Sequence, residues 1–313
     1  MKKDIVFVTG ITGSVGSYLA DMLIESDLEI YALVRTPENL PESIKKAKNI
    51  KILQGIMENI FPFKDEINSA HYIIHIATNW DDDNKGDSLN RIHTEHIFNM
   101  VDPDKIKRII YFSTASILGR DNKLLPQARE IGTGYIKSKY DFCVYLKNSP
   151  LRDKVITIFP TMVIGGDKKH RYSHIGEGLR SAKKMIRFLR FFTLEGSFHF
   201  IHSKDIAKII MHLMYQKNPK QEYVVGNKPQ TISEIIKNLA NYFGYRVWFQ
   251  IKIPIKLLLN IAKIFRIQVK PWDKFCMEYK YFVYDAVDAS SFDLPQDLNT
   301  IPKIMDSIMS DSL

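Results

Sequence analysis

Cysteine is scarce: two thiols, Cys143 and Cys276, occur in 313 residues. Set so far apart, they supply neither a disulfide framework nor a cysteine-built zinc or iron–sulfur site, and they suit a reducing compartment. Long apolar runs are missing as well. Leu257-Leu258-Leu259 is flanked by Lys256, Asn260 and Lys263, well short of the roughly 20 apolar residues that span a bilayer. The opening Met1-Lys2-Lys3-Asp4 lacks the apolar stretch and small-residue cleavage site of a secretory leader. These absences predict a cytoplasmic chain that does not cross a membrane and meets one, if at all, only at its surface. Acid is locally absent too: no Asp or Glu occurs from Ile235 through Trp272, in a chain of net charge +9. That imbalance attracts anions, whether nucleic acid, a phosphorylated ligand or lipid headgroups.

Apolar residues are plentiful, and 45% hydrophobic against 25% charged excludes a disordered chain. In the first half, short β-branched apolar runs alternate with glycine-marked turns and stretches of helical periodicity. Candidate strands are Ile5 to Thr9, Glu29 to Val34, Ile50 to Gln54, Tyr72 to Ile76, Arg108 to Ser113 and Val155 to Phe159, with helices such as Ser14 to Glu25 and Thr133 to Lys147 between them. The runs are apolar throughout, as in parallel strands covered on both faces. This order predicts an α/β fold: a Rossmann-type, doubly wound parallel sheet. After about Gly165 the pattern changes to basic-apolar stretches, which predict a smaller C-terminal lobe. There Ser203 is expected to cap a helix running to about Gln216, and Thr231 with Glu234 has the spacing of a capping box.

Thr9-Gly10-Ile11-Thr12-Gly13-Ser14-Val15-Gly16 follows the first strand and opens the first helix. Glycines there permit a tight turn and let backbone N–H groups approach a pyrophosphate at the helix N-terminus. Packing alone also explains a glycine-rich turn; the surrounding βαβ unit favours dinucleotide binding. Residues 1–165 are thus expected to form the dinucleotide-binding core and residues 166–313 mainly the substrate-binding lobe, with segments at about 198–230 returning to the core.

Four further segments complete a resemblance. They are His75-Ile76-Ala77; Ile109 to Gly119, with Thr114 in its centre; Tyr135-Ile136-Lys137-Ser138-Lys139; and Phe198 to Ala207. With the glycine turn, they make residues 4 to 243 resemble the extended members of the short-chain dehydrogenase/reductase superfamily, namely the NAD-dependent epimerase/dehydratase and 3β-hydroxysteroid dehydrogenase type proteins. The resemblance implies that Thr114, Tyr135 and Lys139 are catalytic. It implies cofactor contacts from Gly10, Thr12, Gly13, Ser14, Val15 and Gly16 in the turn, from Arg35, and from Ala77 and Thr78 after the fourth strand. Asn90, Tyr135, Lys139, Pro160 and Met162 complete that set, although Asn90 also reads as a polar residue in the first turn of a helix.

A Tyr and a Lys four apart share a helix face. A cation beside a phenol, whose ordinary pKa is about 10, stabilises the phenolate and makes Tyr135 a usable acid or base. Thr114 is expected to hydrogen-bond a substrate carbonyl. Where an NAD enzyme places Asp or Glu after the second strand, this chain has Val34 followed by Arg35, which favours NADP(H), with NAD(H) as the alternative. Gly55 resembles the glycine of the family's Gly-Asp pair at adenine, but Ile56 replaces the acid. Sugar-nucleotide dehydratases of the family carry an acidic pair after the catalytic hydroxyl; Ala115-Ser116 stands here, which disfavours dehydration. Phe159-Pro160 replaces the usual Arg-Pro, so cofactor contacts from this loop are expected through backbone.

His93 with His96, and His170 with His174, have helical spacing but no cysteine or third carboxylate nearby, so no metal site is predicted. His199 and His202 are expected to satisfy hydrogen bonds. In the acid-free stretch, Ile255 to Arg266 places Lys256 and Lys263 on one face, with leucine and isoleucine over the rest. Lys183 to Phe192 is similar. Both patterns fit an interfacial helix, predicting peripheral contact with an anionic membrane through about 250–270, and both equally fit lobe helices with snorkelling lysines. No nucleic-acid-binding signature is present. The leading expectation is an NAD(P)H-dependent oxidoreductase interconverting a ketone and an alcohol on an apolar or lipid-like small molecule. An NAD-dependent nucleotide-sugar epimerase and a non-catalytic dinucleotide-binding or redox-sensing scaffold are the alternatives, and a homodimer is open.

Overall fold

The computed structural model describes residues 3–79 and 88–310. Its centre is a seven-stranded parallel sheet. The strands are β1 (Ile5–Thr9), β2 (Glu29–Val34), β3 (Ile50–Gln54), β4 (Tyr72–His75), β5 (Arg108–Phe112), β6 (Val155–Pro160) and β7 (Glu222–Val225), in the order β7-β6-β5-β4-β1-β2-β3. β1 is buried along its whole length. Its side chains alternate, so that Ile5 and Phe7 enter one core layer while Val6 and Val8 enter the other. That arrangement is why the run reads as uninterrupted apolar sequence.

Helices cover both faces. One layer joins α1 (Ser14–Ile24), through Leu19 and Leu23, to α5 (Ser203–Tyr215), through Ile206, Ile210 and Leu213. The other joins α2 (His93–Met100), through Ile97 and Phe98, to α3 (Gly134–Lys147), through Phe142 and Leu146. Thr133 caps α3 by accepting the Ile136 N–H. The strand order reverses between β1 and β4, and in a doubly wound sheet the crevice at such a switch point is where ligands bind.

The lobe has a core of its own. It gathers Ile186 of α4 (Ala182–Leu189), Leu239 and Ala240 of α6 (Ile232–Tyr242), and Ile301, Ile304, Met305 and Ile308 of α9 (Ile301–Met309). Thr231 and Glu234 form the capping box at the start of α6. Ser203 is not the cap of α5: the ring of His202 accepts the Lys204 N–H instead, and Ser203 is the first helical residue, its hydroxyl 2.7 Å from that of Ser14. An imidazole one residue earlier thus does what the serine was expected to do. Two helices lie at the periphery, α7 (Ile255–Ile264), which has no buried residue, and α8 (Pro271–Tyr279), which buries Trp272. Among the described residues no helix is long and apolar enough to cross a membrane.

Candidate active site

The turn between β1 and α1 is built by its glycines. Gly10 has φ +82°, and a Cβ on it would lie 2.6 Å from the Ala77 nitrogen, so β1 and the segment after β4 touch backbone to backbone. A Cβ on Gly16 would lie 2.1 Å from the Gly10 carbonyl oxygen; that glycine closes the turn against the helix. Gly13 differs, since its Cβ would meet only the Gly10 oxygen, at 3.2 Å. Gly13 is the N-cap of α1 with no capping side chain, and the first turn carries no acidic residue. The N–H groups of Ser14, Val15 and Gly16 therefore begin a positive helix end that no carboxylate neutralises, which fits a cofactor diphosphate. Val15 is buried and offers only its backbone; Thr12 is exposed; the Ser14 hydroxyl is bonded to Ser203. When bound there, a nicotinamide dinucleotide supplies the hydride chemistry of the site.

Thr114 follows β5, and Tyr135 and Lys139 lie on the buried face of α3. The Thr114 hydroxyl hydrogen-bonds the Tyr135 phenol and accepts the Ser116 N–H. Burial raises the Tyr135 phenol well above its ordinary range, with the Thr114 hydrogen bond opposing. The expected lowering by Lys139 is thus not seen. The Lys139 ammonium donates to the Phe112 carbonyl at 2.7 Å and sits 4.9 Å over the Tyr111 ring. Burial pushes this amine down to about 7. Behind the pair, His75 bridges the Thr9 and Thr94 hydroxyls at 2.7 and 3.0 Å. Burial, followed by the Lys139 charge, pushes the imidazole down to about 3, so it stays neutral at physiological pH.

Asn90 is 3% exposed and holds the loop after β4. Its Oδ1 accepts from the Thr78 hydroxyl and the Asn79 N–H, both at 2.9 Å, while its Nδ2 donates to the Asn79 carbonyl. It shapes the segment Ala77–Asn79 that faces Gly10. Arg35 is exposed at the end of β2, and among the described residues no carboxylate pairs with it; Val34 before it is buried. Gly55 donates to the Val34 carbonyl, and a Cβ there would lie 2.4 Å from the Phe63 ring, so Gly55 is needed for that ring's packing. Ile56 beside it is exposed. The loop after β6, expected to meet the cofactor through backbone, has two of its N–H groups engaged inside the protein. Thr161 N–H donates to Val225, Met162 N–H donates to His199, and Pro160 has no N–H.

The residues that sequence reasoning missed come from far along the chain. Tyr284 donates its hydroxyl to the Ala115 carbonyl at 2.9 Å and its N–H to His199 Nε2 at 3.0 Å. His199 Nδ1 in turn bonds the Asn227 carbonyl, also making good the expectation for that residue. Arg120 ties the same edge to α8 and the strand after it through the Tyr279 and Tyr281 carbonyls. His93 and His96 rings meet edge to face, 5.6 Å apart. His170 pairs instead with Asp167 and Asp21 and stacks on Tyr18, away from exposed His174. Among the described residues no group of three or more His, Cys, Asp or Glu is placed to hold a metal.

Comparison with known proteins agrees with this architecture. Dihydroflavonol 4-reductase of Gerbera hybrida is 23% identical over 281 residues, 80% of this chain and 74% of that protein. Anthocyanidin reductase of Arabidopsis thaliana is 21% identical, covering 82% of this chain and 87% of that one. The structure of UDP-N-acetylglucosamine 4-epimerase from Methanobrevibacter ruminantium, in complex with UDP-N-acetylmuramic acid, superposes over 100% of both chains with a TM-score of 0.70 at 17% identity. The Bordetella bronchiseptica enzyme WbmH in complex with NAD+ covers 88% of this chain and 95% of its own, with a TM-score of 0.61 at 17% identity. These structures share the fold. Residues 6–226 match the NAD dependent epimerase/dehydratase family, and with the glycine turn and the Thr114, Tyr135 and Lys139 constellation already in place, the chain belongs to that family and is an NAD(P)-dependent enzyme of its oxidoreductase and epimerase kind.

Proposed function

We propose that the chain is an NADPH-dependent reductase that converts a ketone on an apolar small molecule to an alcohol. The observation that carries this reading is the hydrogen bond that joins the Thr114 hydroxyl to the Tyr135 phenol. Thr114 orients the substrate oxygen, and Tyr135 donates a proton to it as the carbonyl becomes an alcohol. Lys139, anchored on the Phe112 carbonyl, fixes the helix face that carries Tyr135.

Two further observations support the substrate class. The polar atoms that bring the lobe to Thr114 are engaged inside the protein: the Tyr284 hydroxyl on Ala115, and both His199 nitrogens on Asn227 and Tyr284. They leave little with which to bind a sugar's hydroxyls. Two similar proteins are, by name, reductases of dihydroflavonol and anthocyanidin. Ala115-Ser116 in place of an acidic pair stands against dehydration, and exposed Arg35 favours a 2′-phosphate.

A nucleotide-sugar epimerase is the second reading, favoured by the full-length superposition on the UDP-N-acetylglucosamine 4-epimerase. Purified protein is expected to consume NADPH with aromatic or alicyclic ketones and to arrive without tightly held NAD. Retained NAD together with interconversion of UDP-sugars would replace the reductase by the epimerase. Nicotinamide binding without turnover on either panel would leave a scaffold or redox sensor.

A further inference from the structure

The outer face of the lobe carries an apolar surface that the fold does not cover. On α4, Ile186 is 4% exposed and enters the lobe core, while Met185, Phe188 and Leu189 on the rest of the apolar arc are 60%, 69% and 46% exposed. The chain continues into a two-residue strand, Phe192–Thr193, paired in parallel with Ile251–Lys252, and the Phe191 and Phe249 rings stack 5.3 Å apart. Trp248, at 77%, is the most exposed of these aromatic residues. α7 begins three residues beyond that strand. Its Leu257, Ile261 and Ile264, spaced one face apart, all point outward, and Phe265 and Ile267 extend the surface. These exposed aromatic and branched aliphatic side chains, on segments joined by the paired strands Phe192–Thr193 and Ile251–Lys252, are of the kind that marks an interaction site.

Charge decides the occupant. Residues 182–192 and 235–272 contain no acid. Among the described residues Lys183, Lys184, Arg187, Lys256, Lys263 and Arg266 have no carboxylate partner, whereas Lys252 is held by Glu195. Cations framing an apolar face repel a second copy of the same face. Aliphatics such as Leu257 and Ile264 give a nucleic acid nothing to stack on. Both features suit an interface of acyl chains beneath anionic headgroups, with lysine and arginine stems reaching up to the phosphates.

We propose that this face, formed by α4, residues 248–252 and α7, docks the protein on an anionic lipid surface. The docking does not depend on which reaction the site performs, and the assay for it reads no turnover. Full-length protein is mixed at low salt with phosphatidylcholine vesicles, with or without phosphatidylglycerol, and sedimented. Binding to the anionic vesicles is expected to exceed binding to neutral ones by more than about tenfold and to fall as salt is raised. Trp248 emission should shift to the blue on binding, and the shift should vanish in Trp248→Phe. The double variant Phe188→Glu/Ile264→Glu, placed on exposed positions, should stay in the supernatant with its cofactor affinity intact. Protein that stays in the supernatant with both vesicles, a double variant that pellets as well as the native chain, or a lipid-free dimer abolished by that variant would each overturn the proposal.

Discussion

The Ala115 carbonyl, next to the hydroxyl residue Thr114, accepts a hydrogen bond of 2.9 Å from the phenol of Tyr284, 169 residues further along the chain. Through it the C-terminal lobe grips the active-site segment at one atom. The same carbonyl also accepts the Leu118 N–H at 3.0 Å. Tyr284→Phe therefore leaves no orphaned acceptor, and its cost to stability should stay near about 1 kcal/mol. The effect on catalysis should be larger than that figure suggests, because the substitution loosens the strand end that presents Thr114. A several-fold drop in kcat with little change in cofactor affinity, measured beside a denaturant titration, is the expected outcome. An unchanged kcat would show that Tyr284 only fills space.

The three glycines of the first turn should separate under alanine substitution. Gly16→Ala sets a methyl 2.1 Å from the Gly10 oxygen, and Gly10→Ala combines φ +82° with a contact of 2.6 Å to the Ala77 nitrogen. Both should cost several kcal/mol, about 2–4, and lower the yield of folded protein. Gly13→Ala faces only the Gly10 oxygen at 3.2 Å, with ordinary φ −79° and ψ 177°. It should fold with a nearly native melting temperature. Its methyl occupies the space in front of the α1 N–H groups, so dinucleotide affinity should fall by about tenfold or more. Calorimetric melting paired with a binding titration tells the two classes apart; equal losses of stability at all three would mean that Gly13 serves packing alone.

Part of this was legible without coordinates because its determinants are local. The β1–turn–α1 unit is written in consecutive residues, and Tyr135 with Lys139 share a face by helical spacing alone. Thr114 was placed by the resemblance of Ile109 to Gly119 to the family's fifth strand and hydroxyl segment. What could not be read lies in contacts between distant segments. Nothing near Tyr284 or His199 in sequence announces that they meet each other and Ala115. The direction of the Tyr135 shift was misjudged for a similar reason: spacing puts Lys139 on the right face, but the Phe112 carbonyl, 27 residues back, decides where its ammonium points. Likewise the cap of α5 went to His202 because Ser203 is drawn to Ser14, on an element 189 residues away. The periodicity of α7 showed an apolar face; only the fold shows that, among the described residues, no helix covers it.

Arg35 tests the choice of cofactor. It stands exposed at the end of β2 with no carboxylate partner among the described residues, and Val34 before it is buried. An unpaired guanidinium at this strand end offers two parallel donors to a 2′-phosphate and little to a bare ribose. Arg35→Ala should weaken NADPH by about tenfold, equivalent to roughly 1.4 kcal/mol, and leave NADH within about twofold. Arg35→Asp should reverse the preference. Titration with both dinucleotides checks this directly; parallel losses for the two would show that Arg35 contacts what they have in common.

Lys139 makes the sharpest pH prediction. Its amine is pushed by burial from the ordinary 10.5 to about 7 in the folded chain, whereas the unfolded chain keeps the ordinary value. Between those two pH values the unfolded state binds the proton and the folded state does not, so stability rises as pH increases through this window. Below about 7 both states are charged, and the full penalty of burying the ammonium falls on the fold. Lys139→Met removes the charge while keeping much of the stem. It should be more stable than the native chain at pH 6, by on the order of 1–3 kcal/mol after the lost bond to Phe112 and the Tyr111 ring contact are counted. The advantage should shrink steadily and disappear near pH 10. Turnover, in contrast, should be lost at every pH, because the side chain that anchors the Tyr135 face of α3 is gone. Denaturant melts of the two proteins across that range measure the first effect, and a pH–rate profile measures the second. A constant stability difference from pH 6 to 10 would mean that the buried amine keeps its proton throughout, with the Phe112 carbonyl and the Tyr111 ring compensating for its lost hydration.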